Sequence, residues 1–230
     1  MKKYFARLAS CLALLLLCGM AQAAPQGTEA ALKKMQDAYA SMQSFRAAFT
    51  QELMQRETGS TEKRRGSILF RKPLFLRWES EKPHEELLIV NDREIWNYLP
   101  EEELAYRYSR ALAEDSRSII QVITGQSSLD KDFDVEALGE GQGGTLHFRL
   151  FPKEPSTEMT EVQLWIDSKS HLIRRAKVVD FYGNTNSVSL ERIEAGAPAP
   201  DGSFRFAPPP DTEVEDHIER KGPEKIPLAE

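Results

Sequence analysis

The sequence predicts a mainly β protein of the α+β kind: one antiparallel sheet, strongly curled, with helices lidding an apolar concave face. Three features of the chain point to it. Period-two alternation of apolar and polar residues recurs in about eleven short runs. Only two stretches, 28–42 and 111–124, change to helical spacing. Nearly every run meets the next through a short turn, which suits antiparallel neighbours in meander order. Width then dictates curvature. Eleven strands at ~4.8 Å make a sheet ~50 Å across, whereas a helix covers only ~10–12 Å. Two helices cannot cap a flat sheet of that width. The sheet therefore closes into a barrel or forms an open trough with the helices laid across its mouth.

The first element is a leader. Lys2, Lys3 and Arg7 precede an apolar run over 8–18, and Ala21-Gln22-Ala23 is a small-x-small cleavage site, so residues 1–23 read as a secretory signal peptide. The run is too short to remain in a membrane. Export of this kind predicts a periplasmic location, with residues 24–230 as one domain and a loose tail from about 221. Both cysteines, Cys11 and Cys18, fall in the leader, which excludes a disulfide framework. A lipidation signal requires a small residue before its cysteine, and Leu17 stands there, so the mature chain is expected to be unlipidated and monomeric. The leader's three basic residues and absent acids take the net charge from −6 to −9 on cleavage. Such a chain is unsuited to nucleic acid, whose binding relies on Lys and Arg, and is repelled by anionic head groups.

The helix over 28–42 places Leu32, Met35, Ala38, Tyr39 and Met42 on one face. Strands follow at 44–56, 64–72 and 74–81, then at "EELLIVN", "REIWNYL" and "ELAYRYS". Between the second and third, Arg71, Lys72 and Pro73 form a turn rimmed by charge. Over 111–124, Ile119, Ile120 and Ile123 group at helical spacing, and Gly125 is the stop. Five more strands occupy 132–139, 144–152, 159–167, 171–180 and 184–194, with Phe181 assigned to this strand region. The proline-rich "GAPAPDGSFRFAPPPDTEVED" has Phe204 and Phe206 as its anchors.

Catalytic signatures are scarce, and the chain is expected not to be an enzyme. Gly125-Gln126-Ser127-Ser128-Leu129 lacks the second glycine of a nucleophile elbow and follows a helix instead of a strand, so it reads as a helix end. Gly139, Gly141, Gly143 and Gly144 join two strands with no helix to hold a phosphate, and read as a hairpin loop. His84, His147, His171 and His217 have no i, i+4 partner, so neither a metal nor a cofactor is expected. The aromatics are more informative. Trp78, Trp96 and Trp165 stand on separate strands, and more concave area exists than two helices can cover. An apolar ligand is expected in that trough, lined by Met35, Phe49, Phe70, Leu76, Trp78, Ile89, Trp96 and Phe148 and lidded by Ile119, Ile120 and Ile123. Ordinary core packing is the competing account of the same residues.

Several motifs in order carry a likeness: an amphipathic helix into "SFRAAFTQ", then G-x-I-x-F-R-K-P-x-x-x-R-W, "LLIVNDREIWNYLPEEE", "LWIDSKSHLIRRAKVVDFYGN" and "FRFAPPPDTEV". From about Leu32 to Val214 the chain resembles the outer-membrane lipoprotein carrier protein family, the LolA type. That resemblance implies an open half-barrel of eleven strands lidded by helices. It implies a periplasmic shuttle that takes triacylated lipoproteins from an inner-membrane ATP-driven transporter to an outer-membrane acceptor. It also implies a latch: the family places a basic residue, usually Arg, directly before the proline, where it bonds to the backbone of the lid helices. Here that position is Lys72, with Arg71 beside it as a second candidate for the latch, and Leu76 stands where the family usually carries Phe. Three other functions suit a curled sheet: a lipid or lipoprotein sensor, the acceptor itself, and a hydrolase.

Overall fold

The computed structural model describes residues 26–114 and 118–218. The expected signal peptide over 1–23 and the expected loose tail from about 221 lie outside the described residues. Helix α1 (Gln26–Ser41) leads into six strands, β1 (Ser44–Met54), β2 (Thr61–Arg71), β3 (Phe75–Ser80), β4 (Glu86–Val90), β5 (Glu94–Leu99) and β6 (Leu104–Ser109). Two short helices follow, α2 (Ile119–Ile123) and α3 (Leu129–Asp132). The chain then forms β7 (Phe133–Glu140), β8 (Thr145–Pro152), β9 (Glu161–Asp167), β10 (Ile173–Val179), β11 (Thr185–Ala195) and β12 (Glu213–Asp216).

All twelve strands form one sheet, in the order β12-β6-β5-β4-β3-β2-β1-β11-β10-β9-β8-β7. It is two antiparallel meanders, β1–β6 and β7–β11, zipped together where β1 pairs with β11. Because β6 and β7 lie near opposite edges, the chain between them must cross the width of the sheet. It crosses on the concave side, where α2 packs against β10 and α3 against β7. The lid is thus the connection that this strand order requires.

Side-chain parity sorts the sheet into two faces. Phe45, Ala47 and Phe49 of β1, Ile68 and Phe70 of β2, Leu76 and Trp78 of β3, and Leu88 and Val90 of β4 share one buried cluster with α1 and α2. The alternate residues Ile89, Trp96 and Ala105 form a second cluster on the outer face, with Phe206 packed on it. Residues 196–212 run over that outer face as a strap. Phe204 lies 5.5 Å from Phe75, and Phe206 lies 5.6 Å from Trp96 and 5.3 Å from Tyr98, so both expected anchors do anchor.

Three local readings change. First, the helix expected over 111–124 is a 3₁₀ turn at Arg110–Leu112 followed by the five-residue α2. Ser118 sets the start of α2: its backbone is extended (φ −98, ψ 148) and its hydroxyl accepts from the Gln121 N–H at 3.2 Å. Five residues cannot hold a helix in water, and here all five are buried. Second, a twelfth strand exists. β12 pairs parallel to β6, with Glu213 N–H donating to Glu103 O at 2.8 Å and His217 N–H to Arg107 O at 2.8 Å. Its four residues are all exposed, so no alternation marks it in the sequence. Third, Phe181 lies outside β10, in the hairpin turn, 70% exposed. The glycine run does form the β7–β8 connection, with Gly143 and Gly144 at positive φ.

Candidate functional site

Nine of the eleven expected lining residues converge. Met35, Phe49, Phe70, Leu76, Trp78, Ile119, Ile120, Ile123 and Phe148 all belong to the concave cluster, none above 8% exposed. Ile89 and Trp96 do not join them. They sit on the outer face under Phe206, because β4 and β5 place alternate residues on opposite sides. Trp165 is also remote from the trough, stacked on His147 at 4.2 Å with the Arg175 guanidinium 4.8 Å from its ring.

Register arranges the floor in rows across the strands. The row nearest the α1–β1 corner is Phe45, Phe70, Leu76, Val90 and Ile95, all buried and apolar. Next come Ala47, Ile68, Trp78 and Leu88, with Asn97 at the margin. In the third row Gly66 stands opposite Phe49. A Cβ there would lie 1.9 Å from Glu79 O and 2.9 Å from the Phe49 ring, so glycine is what lets Phe49 lie 4.5 Å from Trp78. That row continues through Ser80 to Glu86. In the fourth, Gln51 faces Arg64. The Arg64 and Glu86 side chains are 2% and 4% exposed and form an ion pair of 2.8 Å; Arg64 also pairs with Glu62. Gln51 Nε2 donates to Asn186 Oδ1 at 3.1 Å.

Two polar contacts tie the end of α1 to the sheet. Lys72 Nζ donates to the Ala40 carbonyl at 2.6 Å, and Lys72 N–H donates to Gln43 O at 2.9 Å. Ala40 is in the last turn of α1, where carbonyls lack helical partners and the macrodipole favours a cation. That turn has no basic residue of its own, so Lys72 supplies the charge from the sheet. The bond sits at the α1–β1 corner, since β1 begins only a few residues later. A second tether joins the Tyr39 hydroxyl to the Ile173 N–H at 3.2 Å; burial pushes the phenol pKa up, against the smaller opposing effect of that bond, and keeps it neutral. The two lid elements touch at Gly125, which has φ +67, ends α2 as expected, and would place a Cβ 2.3 Å from the Tyr39 ring.

Arg71, expected to share the latch, instead addresses the other face, because adjacent residues of a strand point to opposite sides of the sheet. Its guanidinium donates to Ala199 O at 2.8 Å, pairs with Asp201 at 2.7 Å, and lies 4.5 Å from the Phe75 ring and 5.1 Å from that of Phe204. One dipeptide thus holds lid and strap on opposite sides of the sheet. Sequence reading does not find the Arg64–Glu86 pair, Gln51 or Tyr39 as site residues. For Arg64 a signal exists: it continues the parity of Ile68 and Phe70. Among the described residues, no three His, Cys, Asp or Glu side chains group as a metal site.

Sheet, floor and lid together define a class, the open half-barrel with a helical lid. The sequence profile described as "Outer membrane lipoprotein carrier protein LolA" matches residues 40–207, and the chain belongs to that family. It is 26% identical over 207 residues to the outer-membrane lipoprotein carrier protein of Dechloromonas aromatica (strain RCB), covering 90% of this chain and 93% of that one. With that of Bordetella avium (strain 197N) it is 27% identical over 215 residues, covering 93% and 99%. A crystal structure of an uncharacterized conserved protein from Thermus thermophilus shares the fold at a TM-score of 0.54 and 13% identity, covering 84% of this chain and all (100%) of that one.

Proposed function

We propose that this protein is a periplasmic carrier that holds the acyl chains of lipoproteins against its concave face. It shuttles them from an inner-membrane ATP-driven transporter to an outer-membrane acceptor, after removal of its signal peptide at Ala23. The need is easily sized: at ~0.8 kcal/mol per methylene, one sixteen-carbon chain costs about 12 kcal/mol to bring into water and three cost about 35. Free diffusion between membranes is excluded, and an apolar container is required.

The observation that carries this reading is the apolar floor under a lid whose contacts with it are themselves apolar. With Leu76 and Trp78 at 0% and 2% exposure, acyl chains reach the floor only when α1 or α2 moves. The apolar ligand then replaces lid side chains as the cover, so opening need not expose the floor to water. Lys72 is the latch and Arg71 the clamp on the strap. The aliphatic lid residues Ile119, Ile120 and Ile123 suit a grip that must also release. Mass spectrometry of the protein from its native periplasm tests the proposal. Co-purifying acylated polypeptide is expected, and a preparation with none, from cells expressing lipoproteins, counts against it.

A further inference from the structure

The concave floor is graded along the strands, and the gradient ends in a buried charge cluster. Its first row is wholly apolar, its third brings in Ser80 and Glu86, and its fourth is Gln51 and Arg64. From Phe70 to Arg64 is six residues of β2, about 20 Å of strand, comparable with an extended sixteen-carbon chain. We propose that this polar end is a subsite for the neutral ester and amide carbonyls of an acylated N-terminal cysteine, with Arg64 and Gln51 as donors and the acyl tails running toward the Lys72 end. The inference rests on the carrier reading above and adds to it an orientation and a choice of ligand.

Charge selects the ligand. Arg64 lies between two carboxylates, Glu62 and Glu86, and His84 Nε2 stands 3.8 Å from Glu62. Two carboxylates against one guanidinium repel a fatty-acid carboxylate or a phosphate, but not a carbonyl. Carbonyls carried into an apolar trough lose water and must find donors, and a guanidinium held in place by its own carboxylates is a preorganised one. A uniformly apolar floor would offer nothing to the head of the ligand. Glycerophospholipid brings the same ester carbonyls with an anionic phosphate, so it is the disfavoured source.

The test is displacement of a bound fatty-acyl dye from the mature protein at pH 8. Competitors are a triacyl-cysteinyl peptide with ester-linked glyceryl chains, its ether-linked analogue, and phosphatidylglycerol. The ester lipopeptide is expected to displace the dye at a concentration at least fivefold lower than either of the others. In the double variant Arg64→Met, Glu86→Leu, which removes the pair together, ester and ether should become equal, both displacing the dye only at concentrations no lower than the ether analogue needs in wild type. Equal displacement by ester and ether in the wild type overturns the subsite, whatever the variant does. Phosphatidylglycerol competing as well as the ester lipopeptide overturns the charge selection. Displacement by neither lipopeptide overturns the carrier reading itself.

Discussion

Replacing Lys72 by Met removes one charged donor while keeping most of the side-chain volume. The 2.6 Å bond to Ala40 O is charge-assisted and sits at a helix C-terminus with no basic residue in its last turn. Such bonds contribute about 1.5–3 kcal/mol, and partial exposure puts this one at the low end. About 1.5 kcal/mol corresponds to roughly a tenfold shift toward the open lid. An open trough is a better resting place for acyl chains, so the variant should load normally and unload slowly, while Lys72→Arg transfers at least as well as wild type. Hydrogen exchange reads the first link directly: amides of α1 should exchange about tenfold faster in Lys72→Met, with those of β8 and β9 unchanged. Transfer of loaded lipoprotein from purified carrier to acceptor reads the second, loading being scored separately. Wild-type exchange in α1 together with wild-type unloading would refute the latch, leaving Lys72 as a charged turn residue.

Other outcomes follow from the same geometry. Ile120→Glu places an unpaired carboxylate at a position only 4% exposed and should weaken binding of a fatty-acyl dye several-fold; equal affinity in a folded variant removes α2 from the site. Gly125→Ala combines an αL backbone with a Cβ 2.3 Å from the Tyr39 ring, and should cost about 2–4 kcal/mol in chemical denaturation. Arg71→Met loses the bond to Ala199 O and the contacts with Phe75 and Phe204, about 1–2 kcal/mol; proteolysis within 196–212 should accelerate while exchange in α1 stays unchanged. Tyr39→Phe removes the acceptor for the Ile173 N–H and should destabilise the closed lid by about 1–2 kcal/mol, seen as faster exchange at Ile173.

The carrier-like architecture was legible because period-two alternation, short turns and a shortage of helix are local properties, and strand width alone then forces curvature. Parity named Phe49, Phe70, Leu76 and Trp78 correctly for the concave side. It failed for Ile89 and Trp96, because β4 is apolar on both faces over "LLIV" and the outer face is itself covered by Phe206. A run buried on both sides carries no alternation to read.

By itself the sequence determined which segments pair as hairpins, where α2 stops, and that Lys72 stands at a turn beside two greasy strands. These depend on neighbours along the chain: turn chemistry, glycine at positive φ, and the repeat of apolar residues. Only the tertiary structure decided that β1 zips to β11, that β12 pairs with β6, and that Lys72 reaches Ala40 while Arg71 reaches Ala199. It also decided that Arg64, Glu86 and Gln51 meet at one end of the floor. Those contacts join residues far apart in the chain, and their partners are set by sheet register and by the face each strand turns inward. Alternation separates the two faces of a single strand, but no local pattern encodes the register between strands distant in the chain.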